Sequence, residues 1–103
     1  ITVKGVSHIT GGGFYENIPR SLKAGCCARI AKADVRTPAL FDLLAKEGGI
    51  PEHDMFNTFN MGVGMVLTVA AEDADKAIEI LKAYGEDAYR LGVIAEGEGV
   101  ELV

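Results

Sequence analysis

The sequence predicts an α+β domain, a mixed, partly antiparallel sheet with helices packed on it, and three observations predict it. Apolar residues follow a strand-like spacing in some stretches and a 3.6-residue spacing in others, in the order β-α-β-α-α-β-α-β-β. No repeat of fixed period, low-complexity segment or linker interrupts that order. The 103 residues, 49% hydrophobic and 24% charged, suit one small globular unit with a modest core.

Each element has its own reason. Thr2 to Thr10 mixes Val3, Val6 and Ile9 with polar residues, an imperfect strand that ends at three glycines. Phe14, Ile18 and Leu22 recur every four residues as a short helix, in which Pro19 must occupy a first turn or break it. Cys26 to Ile30 reads as a buried strand with Ala28 and Ile30 on one face. Thr37-Pro38 predicts a helix start, a hydroxyl cap followed by proline. Leu40, Phe41, Leu43 and Leu44 form its expected buried stripe, and Gly48-Gly49 ends it.

Residues 51–61 are expected to hold a short helix packing Met55, Phe56 and Phe59. Val63 to Ala70 is the most apolar stretch and predicts a strand covered on both faces. From Glu72 to Tyr84, Ala74, Ala77, Ile78 and Leu81 line one helical face, and Gly85 stops the helix. Glu72, Asp73 and Asp75 suit the positive end of its dipole better than they suit a metal. Ala88 to Ala95 alternates as a strand, and Glu96-Gly97-Glu98-Gly99 is expected to turn it into a hairpin with residues 100–103.

Charge narrows the partners. Residues 1–50 carry seven Lys/Arg against four Asp/Glu, whereas residues 51–103 carry three against eleven. The net charge of −5 argues against nucleic acid, which needs clustered cations. The basic half surrounds the glycines and favours a small anionic ligand there. No run of 18 apolar residues and no signal-peptide pattern occurs, so no membrane partner is expected. Adjacent Cys26 and Cys27 lack disulfide or zinc spacing, which fits reduced thiols in the cytoplasm.

Chemistry concentrates in His8-Ile9-Thr10-Gly11-Gly12-Gly13-Phe14-Tyr15-Glu16-Asn17-Ile18-Pro19-Arg20. Three glycines remove every Cβ from a loop, so a ligand or another backbone can approach closely. The loop lacks the Lys-Ser/Thr of a P-loop, and Glu16 stands where a dinucleotide fingerprint needs glycine. An anion-binding loop and a tight strand-to-helix corner both fit.

The whole string resembles the His-x-Thr-Gly-Gly-Gly…Asn-x-Pro-Arg signature of the aminoimidazole ribonucleotide synthetase (phosphoribosylformylglycinamidine cyclo-ligase) family. Thr58-Phe59-Asn60-Met61-Gly62-Val63-Gly64-Met65 resembles that family's other C-terminal hallmark. Where the family often has Leu-Pro-x-Gly-Leu, this chain reads Leu22-Lys23-Ala24-Gly25-Cys26, a departure that touches packing.

The resemblance implies a partial, N-terminally truncated C-terminal domain, residues 1–103, of a two-domain ligase with a three-layer α/β/α fold. It also implies ATP and Mg²⁺ bound mainly by the absent N-terminal domain, a homodimer, and a phosphoribosyl substrate in a groove between domains. Carried onto this sequence, it assigns Thr10, Gly11, Gly12, Gly13, Asn17 and Arg20 to phosphate or substrate. Asn17 as a helix cap and Arg20 as a bridge to Glu16 are the structural alternatives. Asn60, Gly62 and Gly64 become the groove's other lip, while Met61 and Met65 read as core. His8 is either a proton shuttle or a hydrogen-bonded buttress, and no metal ligand is assigned. A related superfamily domain (formylglycinamidine ribonucleotide synthetase, selenophosphate synthetase or thiamine-phosphate kinase) and a non-enzymatic anion- or nucleotide-binding domain are the alternatives.

Overall fold

The computed structural model describes residues 1–103 and contains the elements in the expected order. They are β1 (Val3–His8), α1 (Gly13–Asn17), β2 (Cys26–Ile30), α2 (Ala39–Gly48), α3 (Glu52–Thr58), β3 (Met65–Val69), α4 (Ala74–Ala83), β4 (Gly92–Glu96) and β5 (Gly99–Leu102). Pro19 cannot continue α1, and the chain tightens there into a 3₁₀ turn, Ile18–Ser21. Helices pack against mixed sheets, the α+β class that the periodicity predicts.

The strands form two sheets. In one, β1 and β3 run antiparallel, with His8 opposite Met65 and a register shift between Val3 and Gly5. In the other the order is β4-β2-β5, with β2 antiparallel to β4 and parallel to β5. The expected hairpin between the last two strands is therefore wrong. Its arms are parted by β2, and residues 97–98 arch over the start of that strand. The arch is held where Gly97 N donates to Gly25 O (3.0 Å) and Gly25 N donates to Glu98 Oε1 (3.0 Å). Cys27, buried in β2, lies beneath it, 3.1 Å from where a Cβ on Gly97 would sit.

The core collects Ile9, Phe14, Ile18, Ala28, Ile30, Val35, Met55, Phe56, Met61 and Val63. Phe14, Ile18 and Met55 are fully enclosed, each contributing about 1.5–3 kcal/mol of apolar burial. Phe14 meets Phe56 edge-on at 5.1 Å, which seats α1 on α3.

Three further expectations are corrected. Pro38 itself precedes α2, one residue later than the expected start, and Leu40, Leu43 and Leu44 are exposed. Of that stripe Phe41 does turn inward, onto Phe59 at 5.8 Å, and Ala45 one turn later packs on the same side. Gly49 closes the helix in the left-handed conformation as expected. The apolar run 63–70 yields a shorter β3 that is only half-buried, because β1 is its single strand neighbour. Residues 88–91 do not join β4. Arg36 holds that approach, its guanidinium bonded to Asp87 (2.9 Å) and lying 4.3 Å over the Tyr89 ring, while its N–H donates to Tyr89 Oη (3.1 Å).

Candidate functional site

The end of β1 delivers the glycine loop, and the end of the second motif receives it. Ile9 N donates to Gly64 O (2.9 Å), which continues the β1–β3 ladder past both strands. Ser7 is buried at the base, its hydroxyl sharing a 2.6 Å hydrogen bond with the hydroxyl of Ser21 and donating to Ile18 O (3.4 Å). Gly13 N then donates back to Thr10 O (3.0 Å), which closes the turn into α1.

The three glycines have three different jobs. Gly11 is exposed, and a Cβ there would meet nothing within 4 Å. Gly12, at φ 108°, takes a left-handed conformation that L side chains rarely reach. Gly13, at φ 60°, is buried, and a Cβ on it would fall 2.0 Å from Phe56 O and 2.8 Å from Phe59 O. The tight-corner reading thus describes Gly13, whereas the open-loop reading describes Gly11.

Asn17 locks the corner. Its buried carboxamide donates to Gly13 O (2.9 Å) and Thr10 O (3.3 Å), and accepts from Thr10 Oγ1 (3.3 Å). It makes no cap bond to the following 3₁₀ turn, so the capping alternative is set aside. Thr10 is exposed, with its hydroxyl proton already engaged by Asn17. Arg20 is exposed and belongs to none of the chain's ion pairs, so the bridge to Glu16 does not form. His8 is exposed and lines the groove that runs between the two sheets.

The second motif folds into a turn beside the loop. Asn60 Oδ1 accepts from Gly62 N (2.9 Å), Val63 N donates to Asn60 O (2.9 Å), and Met61 adopts φ 54°. Gly62 is pressed against Pro38, whose Cδ would lie 2.4 Å from an added Cβ. Gly64 is open and exposed. Met61 is core as expected, but Met65 is 59% exposed, because it faces His8 at the end of a two-stranded ladder. The structure therefore brings the Thr10–Asn17 corner and the Asn60–Gly64 turn together.

One pairing escaped the sequence reading. Tyr15 stacks on His53 at 4.3 Å and 17°, beside the Lys32–Glu52 ion pair (3.0 Å). His53 is exposed as expected, yet its ring is the cover of Tyr15. Partial burial raises the pKa of Tyr15 above the ordinary 10.0, and the Glu52 carboxylate raises it further against a smaller opposing effect of Lys32. Because the folded state favours the neutral phenol, this contribution to stability is complete below pH 10.0 and is lost as pH rises through the raised value. Urea midpoints measured from about pH 9 to about pH 11 should fall more steeply for the native chain than for Tyr15→Phe. Equal slopes would refute the linkage.

Comparisons with known proteins agree with this geometry. Residues 1–103 match the family described as AIR synthase related protein, C-terminal domain. Phosphoribosylformylglycinamidine cyclo-ligase of Lachnospira eligens is 53% identical over 103 residues, 99% of this chain and 30% of that protein. The protein of the same name from Caldanaerobacter subterraneus subsp. tengcongensis is 50% identical over 99 residues, 96% of this chain and 30% of its own. That of Agathobacter rectalis is 49% identical over 104 residues, 100% of this chain and 30% of its own. The chain thus spans about 30% of the length of these curated relatives. With the match running through every residue, including the paired corner and turn, the chain belongs to the AIR synthase related protein C-terminal domain family.

Proposed function

We propose that this chain is the C-terminal part of an ATP-dependent cyclo-ligase of purine biosynthesis. The enzyme closes the imidazole ring of formylglycinamidine ribonucleotide to give 5-aminoimidazole ribonucleotide, ADP and phosphate. The observation that carries the reading is the junction of the two motifs through Ile9 N–Gly64 O and the Gly13–α3 contact. Residues that are about fifty positions apart in sequence meet at one rim.

In this reading Thr10, Gly11, Gly12 and Arg20 face the phosphoribosyl substrate, and Gly13 and Asn17 hold the loop that presents them. Asn60, Gly62 and Gly64 form the opposite lip, and exposed His8 accepts or returns the proton released as the ring closes. ATP supplies the phosphoryl group that activates the formyl oxygen. The remainder of the longer polypeptide, its N-terminal domain, binds it. Mg²⁺ belongs there as well in this reading. The full enzyme acts in the cytoplasm as a homodimer. No helix of this chain is long and apolar enough to cross a membrane.

The test is steady-state kinetics of the full-length protein. The native enzyme should consume formylglycinamidine ribonucleotide with ATP, and Arg20→Ala should raise the KM for the ribonucleotide about 10- to 100-fold, the loss of one charge-assisted phosphate contact. Its KM for ATP and its denaturation midpoint should stay unchanged. No turnover by the native enzyme would overturn the proposed activity, and an unchanged ribonucleotide KM would remove Arg20 from the site.

A further inference from the structure

Two serines from different elements meet at the root of the glycine loop, and nothing in the ring-closing chemistry calls for them. Ser7 in β1 is buried, and its Oγ lies 2.6 Å from that of Ser21, fourteen residues on, at the end of the 3₁₀ turn. Both hydroxyls also approach Ile18 O, Ser21 at 3.1 Å and Ser7 at 3.4 Å. Two hydroxyl protons cannot serve three contacts at once. The two shorter contacts engage both protons, so Ser7 donates to Ser21 and Ser21 donates to Ile18 O, with the 3.4 Å contact the minor alternative. Because Ile18 is itself buried, the bonds run from strand to turn to core.

Each serine stands next to a residue of the candidate site. Side chains alternate along a strand, so Ser7 and Ile9 face inward while Val6 and His8 face out. Gly5, on the inward side, lets the turn come close: a Cβ there would lie 2.9 Å from Ser21 O and 3.2 Å from Ser21 Cβ. On the turn, Leu22 N donates to Pro19 O (3.1 Å), which closes the backbone around Arg20 and Ser21. Arg20 is exposed and makes no ion pair within the chain. The Asn17 carboxamide ties the loop to itself through Thr10 and Gly13. The side-chain hydrogen bonds that join β1 to the turn bearing Arg20 all come through Ser7.

We propose that Ser7 and Ser21 are positioning residues, a hydroxyl clamp that fixes where Arg20 stands against the rim of the glycine loop and so sets how firmly the phosphoribosyl substrate is held. The inference rests on the phosphate-binding role proposed for Arg20. A guanidinium binds phosphate well only when its fork is aimed, and freedom in the backbone that carries it dilutes the aimed population. Arg20 has no ion-pair partner to aim it, so its backbone must. That backbone is anchored on one side by buried Ile18 and on the other by Ser21, which the clamp ties to β1. Both hydroxyl protons are engaged inside the clamp, so neither serine is a donor to the phosphate.

Steady-state kinetics of the full-length protein, with calorimetric binding of formylglycinamidine ribonucleotide, test it. Ser7→Ala cuts the link to β1 but leaves Ser21 bonded to Ile18 O, and Ser21→Ala removes both bonds. Each should raise the KM and Kd for the ribonucleotide about 3- to 10-fold, the contribution of one neutral hydrogen bond, with the KM for ATP unchanged. The double variant should be no weaker than Ser21→Ala, because either change breaks the same clamp. The deciding measurement is made in the Arg20→Ala background, where Ser7→Ala should move the ribonucleotide KM by less than about 2-fold, since no guanidinium is left to aim. An effect that persists in that background, or that falls equally on ATP, would reduce the serines to packing and overturn the proposal. Native ribonucleotide KM and Kd in both alanine variants would overturn it too, while leaving the cyclo-ligase reading intact. A native enzyme that neither binds nor turns over the ribonucleotide would instead defeat that reading, and the clamp's role with it.

Discussion

Replacing Gly13 by alanine is expected to cost the full-length protein at least about 3 kcal/mol of stability, enough to unfold the corner and everything seated on it. The added Cβ would fall 2.0 Å from Phe56 O, 2.7 Å from Phe56 C and 2.8 Å from Phe59 O. These are backbone atoms of α3 and its end, so no side-chain rotation relieves the clash. The backbone conformation, at φ 60°, adds about 1 kcal/mol for any residue with a side chain. Gly11→Ala is the control. It lies two residues away, has no positive φ and meets nothing within 4 Å, so its urea midpoint should move by less than about 0.5 kcal/mol equivalent. Equal midpoints for the two variants would refute the division of labour within the loop.

Asn17→Ala is the second large effect, expected at about 3 kcal/mol. Truncation takes the carboxamide donor from the buried Gly13 carbonyl and loosens Thr10 O, which keeps only its bond from Gly13 N, and it empties a buried site. Each buried polar group left unpaired costs about 1–3 kcal/mol. Asn17→Asp is more informative, because it preserves shape while replacing the donor with a carboxylate that faces two carbonyl oxygens. Those oxygens and the burial favour the protonated acid in the folded state, so the penalty is absent at acid pH and grows as pH rises and the carboxyl ionises. Denaturation midpoints of this variant should therefore decline toward neutral pH relative to the native protein. A pH-independent difference would mean that the side chain acts only as filler.

The order of elements was legible because each is short and bounded by a residue with one clear meaning. Gly49 ends α2, Gly85 follows α4, and Pro19 marks the change from α-helix to 3₁₀ turn. The candidate site was legible as two strings, and their meeting is what the fold supplies. What the sequence could not carry was long-range choice. The spacing of Leu40, Leu43 and Leu44 describes a helical face but not which face Phe41 will win by packing on Phe59. Gly97 and Gly99 signal a reversal equally well for a simple hairpin and for one that straddles another strand. Local chemistry is the same in both, and only the pairing of Cys26–Ile30 on each side decides. The roles inside the glycine run were likewise hidden, since they depend on where α3 lies.

The straddled strand has a consequence for how the protein is made. β2 is synthesised before α2, α3, β3 and α4, yet both of its neighbours, β4 and β5, come only after them in the sequence. Until Gly92–Leu102 have been synthesised, the thiols of Cys26 and Cys27 and both edges of β2 have no strand to cover them. Pairings of such long sequence separation form slowly, because loop closure must precede any reward. A nascent chain therefore carries β2 with open edges until that segment has emerged, and a product that lacks β5 keeps its central strand open on one side. In the cell that product is a substrate for chaperones and proteases.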